Sequence, residues 1–271
     1  MFNTISNQAT KLLNLTKSKN NDSKTRIITI TSGKGGVGKS TFTANIAYLL
    51  SRRGFKIAVI DADIGLANMQ VLFDLKPKFT LFDYIEGRNT IDEIITQTNY
   101  ENISLIAGKS GYRYANLKNS LVLTRVVNDL KNLNNYDIIL IDTGAGLNEY
   151  VQEFLSISDN ILALTTTDPS ALTDVYALMK MLSINKDKLL ICFNHTKNYK
   201  IGETIANSLV NLAKKNRLNK NFMVKYIGNV SSSSNISTTS RLRKLFVHEF
   251  INDDITKQFH KVIDSLLKHI K

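Results

Sequence analysis

The sequence predicts an α/β fold in which helices flank a doubly wound, mostly parallel β-sheet. From Arg26 onward, short β-branched runs alternate with helical stretches, as in consecutive strand–helix–strand units. The runs are apolar on both faces, which only a buried central sheet requires. A glycine-rich segment follows the first run, where a strand-to-helix turn is expected.

Seven segments are the strand candidates, and they share a short, apolar, β-branched composition. They are residues 27–30, 57–60, 103–106, 138–141, 161–164, 189–193 and 224–227. Ligands of such open sheets bind at the carboxyl ends of the strands, where the motifs described below lie. The serine run 231–234 is predicted to be a loop after the last strand.

Composition indicates one domain. A chain of 271 residues, 43% of them hydrophobic, can bury a full α/β core without a disulfide. We expect this domain to span residues 26–271, after an extension (1–25) with a short helix and a polar linker. The single cysteine, Cys192, lies in an apolar run and is predicted to be an inert core residue. No segment resembles a signal peptide or a membrane-spanning helix, so a cytoplasmic location is expected.

The net charge is +12, from 35 basic and 23 acidic residues. This charge favours anionic partners such as nucleotides, acidic proteins, nucleic acids or anionic lipids, without choosing between them.

A phosphate-binding loop of the form G-x-x-x-x-G-K-[ST] follows the first predicted strand. Its glycines let backbone N–H groups surround phosphate oxygens at the positive N-terminus of the next helix. Lys39 is expected to reach the β- and γ-phosphates of ATP, and the Ser40 hydroxyl to ligate Mg²⁺. The predicted ATP-binding residues of this loop are Gly33, Lys34, Gly35, Gly36, Val37, Gly38, Lys39, Ser40 and Thr41.

A dinucleotide site is the alternative interpretation of this loop. Gly33, Gly35 and Gly38 also match the G-x-G-x-x-G pattern, and Asp61 lies where a ribose-binding acid would be. The Lys39-Ser40 pair has no role in a site that binds only a pyrophosphate, so the sequence favours ATP.

The loop resembles that of the MinD/ParA family, the deviant Walker A ATPases, because Lys34 matches the signature lysine of that family. In the family this lysine crosses a dimer interface and touches the partner's nucleotide. The resemblance therefore implies a homodimer in the ATP state, in which Lys34 supplies positive charge in trans, as an arginine finger does.

Two acidic motifs extend the resemblance. Residues 61–68 (DADIGLAN) match the switch I pattern D-x-D-x-G-x-x-N, which implies that Asp63 orients the attacking water and that Asp61 supports the Mg²⁺ environment. Residues 142–146 (DTGAG) place Asp142 at the Walker B position, which holds Mg²⁺ through water. Residues 142–146 also form switch II of the family, and the glycines after Asp142 would let it move.

The base-binding side of the site is less complete. Asn194, at the end of the 189–193 strand, matches the family's adenine-facing asparagine. The family's Pro-x-Asp loop is replaced by serines 231–233, so base contacts from that loop are not predicted.

Within the family, a single cysteine excludes iron–sulfur carriers, and a single P-loop excludes arsenite-type pumps. Residues 142–146 and 167–180 resemble the FlhG (FleN/YlxH) flagellar-number regulators. Residues 7–13 (NQATKLL) resemble their D-Q-A-x-x-L-R segment, with Asn7 for Asp and Leu13 for Arg. The resemblance implies slow, regulatory ATP hydrolysis, with an FlhF-type GTPase and flagellar basal-body or regulator proteins as partners.

The last helix is predicted to be amphipathic. Its apolar face comprises Ile255, Phe259, Val262, Ile263, Leu266 and Ile270, and its opposite face Lys257, Lys261 and Lys268. This pattern fits both a helix lying on the inner face of the cell membrane and a final core-packing helix.

Three other functions remain open at this point. One is a MinD-type division-site regulator, and another is a ParA-type partition ATPase that binds DNA non-specifically, which the +12 charge permits. The third is an ATP-binding scaffold without catalysis.

Overall fold

A computed structural model describes residues 25–63, 67–111, 122–197, 199–215 and 218–270 of the chain. All of the predicted N-terminal extension except Thr25 lies outside the described residues, and so does the 7–13 segment within it.

The described strands form one sheet, as predicted. In chain order they are β1 (Arg26–Ser32), β2 (Ile57–Ala62), β3 (Ile95–Gln97), β4 (Ile103–Ile106), β5 (Ile138–Ala145), β6 (Asn160–Thr165), β7 (Lys188–Thr196) and β8 (Met223–Ser231). Their order across the sheet is β3-β4-β2-β5-β1-β6-β7-β8. Every neighbouring pair is parallel except β3 with β4. The fold class and all seven predicted strands are confirmed.

Strand β3 is the one described strand that the sequence did not predict. It has three residues, two of them half-buried and one exposed, and it pairs antiparallel at the edge of the sheet. Three residues are too few to display a period of two, so a strand of this length leaves little signal in the sequence.

The described helices connect these strands. In chain order they are α1 (Lys39–Ser51), α2 (Met69–Leu72), α3 (Leu81–Ile85), α4 (Ile91–Ile94), α5 (Val122–Asn132), α6 (Glu149–Ile157), α7 (Pro169–Leu182), α8 (Tyr199–Lys215), α9 (Ser234–Arg241), α10 (Phe246–Glu249) and α11 (Asp254–His269).

The helices form a layer on each face of the sheet. Helices α1 and α11 share one buried cluster with Ile28 of β1, whereas Ile27 belongs to the cluster that packs α5 and α6 on the other face. Helices α7 and α8 cover β6 and β7 in a third cluster. Neighbouring residues of one strand point to opposite faces, so β1 needs apolar side chains at consecutive positions.

The apolar face of α11 packs on the core. Phe259, Val262, Ile263 and Leu266 are at most 2% exposed, and the rings of Phe259 and Phe42 in α1 are 5.5 Å apart between centroids. The ends of the predicted stripe are partly buried against the same cluster. Of the two interpretations of this helix, the structure therefore favours core packing.

None of the described helices has both the length and the hydropathy needed to cross a bilayer.

The serine run 231–234 is only partly a loop, so that prediction was wrong at both ends. Ser231 is the last residue of β8, and Ser234 is the first residue of α9. The Ser233 side chain accepts a hydrogen bond from the Asn235 N–H and caps this helix. Serine is a favoured N-cap because its oxygen can accept a hydrogen bond from the first helical N–H groups, so such a run can begin a helix directly.

Candidate functional site

The order of the strands brings the predicted motifs to one edge of the sheet. Strand β1 lies between β5 and β6, and β2 is next to β5. In this parallel register Asp61 of β2 is directly opposite Asp142 of β5, and Ile30 of β1 is opposite Asp142 on its other side. The loop after β1 and the two acidic motifs therefore meet at the carboxyl end of the sheet.

The predicted phosphate-binding loop connects β1 to α1. Gly36 and Gly38 have φ values of 77° and 83°, in the left-handed region that glycine adopts without strain. Gly38 is the N-cap of α1, and its carbonyl accepts a hydrogen bond from the Phe42 N–H at 2.9 Å. A glycine cap offers no side-chain acceptor, so the first N–H groups of α1 can face an anion.

Helix α7 packs directly against the first glycine of this loop, a contact that the sequence did not predict. A Cβ added to Gly33 would lie 2.2 Å from the Asp174 Cβ and 3.0 Å from the Asp174 carbonyl carbon. One turn earlier, the Ser170 hydroxyl accepts a hydrogen bond from the Lys34 ammonium group at 2.9 Å. The Lys34 ammonium group therefore contacts α7 of its own subunit.

Asp142 is a fully buried carboxylate beside the first turn of α1. Its Oδ1 accepts a hydrogen bond from the Thr43 hydroxyl at 3.1 Å, whereas its Oδ2 has no hydrogen-bond partner among the described residues. Burial raises the pKa of Asp142, and the charge of Lys39 with the nearby hydroxyls of Ser40 and Thr43 acts in the opposite direction. A buried oxygen without a partner, next to these groups, fits a carboxylate that holds Mg²⁺ through water.

Asp61 is buried and organises the start of switch I. Its Oδ2 accepts the Met69 N–H at 3.0 Å, and its Oδ1 accepts the Asp63 N–H at 3.3 Å. Burial, followed by the charge of Asp142, raises the pKa of Asp61 to about 8. Two buried carboxylates that repel one another would be stabilised by a divalent cation.

The donor set at this edge is of the kind that Mg²⁺ uses. Asp61 and Asp142 supply carboxylates, and among the described residues there is no cluster of three or more His, Cys, Asp or Glu side chains that could hold an ion alone. Mg²⁺ is commonly bound by one or two carboxylates together with substrate phosphates and water.

Asp63 of switch I lies beside the 142–146 motif. A Cβ added to Gly144 would lie 3.5 Å from Asp63 Oδ1, so the glycine leaves room for this carboxylate. Residues 64–66 of switch I lie outside the part of the chain that the structure describes.

Asn194 contacts the phosphate-binding loop from β7. The sequence predicted that Asn194 closes the strand, but β7 continues through Thr196, so Asn194 lies inside it. Its Nδ2 donates to the Val37 carbonyl at 2.8 Å, in a buried position. The structure thus shows a bond to the loop, and facing adenine stays a prediction.

Within the loop, the remaining predicted residues have structural contacts. A Cβ on Gly35 would lie 3.9 Å from the Ala145 Cβ of switch II. The Thr41 carbonyl accepts a hydrogen bond from Asn45 Nδ2 at 2.7 Å. Lys39 is buried, with 8% of its surface exposed.

Sequence reasoning missed two residues of the site. Thr43, which bonds Asp142, lies four residues beyond Lys39 on the buried face of α1, and that i, i+4 spacing could have indicated it. His195 lies against Gly38, but only its position after Asn194 hinted at this.

Comparison with known proteins identifies the family. A family model described as an AAA domain matches residues 25–201. The flagellum site-determining protein YlxH of Helicobacter pylori is 36% identical over 274 residues, covering 98% of this chain and 92% of YlxH. The antiactivator FleN of Pseudomonas aeruginosa is 33% identical over 58% of this chain and 56% of FleN.

The fold has a solved counterpart in the septum site-determining protein MinD of Pyrococcus horikoshii, complexed with Mg-ADP. Its TM-score is 0.76 at 24% identity, and the match covers 89% of this chain and 96% of that one. The alignment with YlxH runs along nearly all of both proteins, and the loop and switch motifs lie within the matched domain. The chain therefore belongs to the AAA-domain family. Within that family it belongs to the MinD/ParA group of deviant Walker A P-loop ATPases, and it resembles the FleN and YlxH flagellar regulators.

Proposed function

We propose that this protein is a MinD-like ATPase that works as an ATP-dependent dimerisation switch and regulates the number or placement of flagella. The observation that carries the flagellar assignment is the 36% identity to YlxH over 98% of the chain. The observation that carries the switch is the joining of the phosphate-binding loop and both acidic motifs at one edge of the sheet.

The proposed ligands are ATP and Mg²⁺. The N–H groups of residues 33–38 and Lys39 would bind the phosphates, while Ser40 and Asp142, supported by Asp61, would hold the cation. When bound, Mg²⁺ neutralises charge on the β- and γ-phosphates. The support for this arrangement is the first turn of α1, whose N-cap Gly38 has no side chain, and the buried Oδ2 of Asp142, which has no hydrogen-bond partner in the described part of the chain. The Mg-ADP complex of the similarly folded MinD agrees with it.

In the proposed cycle, Asp63 positions the water that attacks the γ-phosphate. Lys34 leaves Ser170 of its own chain and crosses to the nucleotide of a second copy, where it adds positive charge. Loss of the γ-phosphate removes the ligand that orders the switches, so the dimer opens. Since the output is a population of dimers, turnover is slow.

The extension 1–25 would provide contact with an FlhF-type GTPase, and the ATPase domain would begin at residue 26. Flagellar basal-body or regulator proteins would be further partners of the ATP-bound dimer. Because the apolar face of α11 is buried, binding to an anionic membrane would require a different surface.

Two variants test the switch biochemically. Asp63→Ala should bind Mg-ATP but not hydrolyse it, because the loop that holds the phosphates is intact. Lys34→Ala should bind Mg-ATP yet stay monomeric in size-exclusion chromatography with light scattering. Lys220→Ala is the matched control and should dimerise, because Lys220 is exposed and precedes β8, at the amino ends of the strands. Dimerisation of Lys34→Ala at the wild-type level would remove Lys34 from this role.

A deletion strain tests the flagellar output. We expect a changed number or position of flagella, restored by the wild-type chain and not by Asp63→Ala. The similarity to MinD favours division-site regulation as the second candidate. Normal flagella with misplaced septa would establish that candidate and defeat the flagellar proposal.

A further inference from the structure

Strand β7 is irregular where it reaches the phosphate-binding loop. His195 has a φ of 56°, and the register between β7 and β8 shifts between Phe193 and Thr196. Other non-glycine residues with positive φ among those described are Asp74, Asn102, Asn134 and Arg243, and these lie outside strands. A bulge within a strand redirects a side chain, and left-handed backbone at a non-glycine residue is often found at binding sites.

The redirected imidazole lies on the first turn of α1. A Cβ added to Gly38 would be 3.2 Å from His195 Nε2 and 3.8 Å from Cε1, and 2.6 Å from Asn194 Nδ2. Asn194 is buried and bonded to the loop, whereas His195 keeps an exposed surface. Asn194 therefore binds the loop through a hydrogen bond, whereas the His195 ring lies beside Gly38 with part of its surface open to a ligand.

The strand order decides which part of a nucleotide would reach this ring. The carboxylates that fit a metal lie on β2 and β5, on one side of β1, and His195 lies on β7, on the other side. Three strand spacings of about 4.8 Å place β7 roughly 14 Å from β5. With the phosphates at the N-terminus of α1 and the cation toward β5, the nucleoside end extends toward β7.

We propose that His195 is a base-binding residue of this site and packs its imidazole ring on the nucleobase of the bound nucleotide. This inference rests on the proposed ATP-binding function. Partial burial lowers the pKa of His195, which favours a neutral ring suited to stacking over a cation that would pair with phosphate.

The test compares a ligand that has a base with one that lacks it. We would measure the dissociation constants of Mg-ATP and Mg-tripolyphosphate by calorimetry for the wild type, His195→Asn and the control His248→Asn. Asparagine accepts left-handed backbone and removes the ring, so it leaves the bulge in place. Thermal melting confirms that each variant is folded.

For His195→Asn we expect about tenfold weaker binding of Mg-ATP, in the range that stacking on one aromatic side chain supports. Binding of Mg-tripolyphosphate should stay within about twofold of the wild type, and His248→Asn should bind both ligands normally. Unchanged Mg-ATP affinity in His195→Asn, or equal loss of both ligands, would overturn the inference while leaving the ATP site in place. A wild-type protein that binds no Mg-ATP would overturn the proposed function and this inference with it.

Discussion

Replacing Ile263 with alanine tests whether the last helix belongs to the core. Ile263 is fully buried in the cluster that α11 shares with α1. The substitution removes about three methylene equivalents at about 0.8 kcal/mol each, and a residual cavity adds to this loss. We therefore expect the free energy of unfolding to fall by about 3–4 kcal/mol. For a chain of this length, that corresponds to a melting temperature roughly 6–15 °C lower.

The measurement is urea unfolding followed by circular dichroism, together with a vesicle sedimentation assay on lipid with an anionic headgroup. Lys268→Ala, on the exposed side of the same helix, is the matched control and should change stability by less than about 0.5 kcal/mol. An Ile263→Ala protein as stable as this control, but with lost vesicle binding, would refute the reasoning and assign the apolar face to the membrane.

Three further predictions concern the loop, the α1–α10 contact and the single thiol. Gly33→Ala should weaken Mg-ATP binding at least about tenfold by calorimetry, because the new methyl group meets the Cβ atom and the backbone of Asp174; wild-type affinity would contradict this. Asn45→Ala should lower stability by about 1–3 kcal/mol in urea, because the buried Val247 N–H loses its acceptor at 3.0 Å; no change in the midpoint would show that the bond is replaced. Burial raises the pKa of the Cys192 thiol, so a thiol reagent at pH 8 should label the folded protein only as fast as the protein unfolds locally and exposes this residue. Rapid labelling of the native protein would place Cys192 at the surface.

Local patterns in the sequence predicted much of the fold and of the site. Apolar β-branched runs are a property of the segment itself, which is why all seven predicted strands are present. The loop between Gly33 and Thr41 was predicted as a continuous motif, and Asp61 and Asp142 each followed a predicted strand. Parallel strands place their carboxyl ends at one edge, so the sequence also indicated that these groups would meet.

Contacts between segments far apart in the chain could not be predicted from the sequence. The amphipathic stripe of α11 has the same spacing whether it faces lipid or protein, and only the α1 side chains opposite it decide between them. The Lys34 bond to Ser170 joins residues 136 positions apart and depends on how α7 docks on the loop. No period or motif encodes such a pair.

What the sequence determined by itself was therefore the set of strands, the phosphate-binding loop and the acids beside it, because periodicity and motif spacing are local properties of the chain. Only the tertiary structure decided that α11 completes the core, that Asn194 is bonded to Val37 and that the His195 ring lies on Gly38. These arrangements arise from packing among segments far apart in the chain. What a side chain contacts there depends on which residues the fold places next to it.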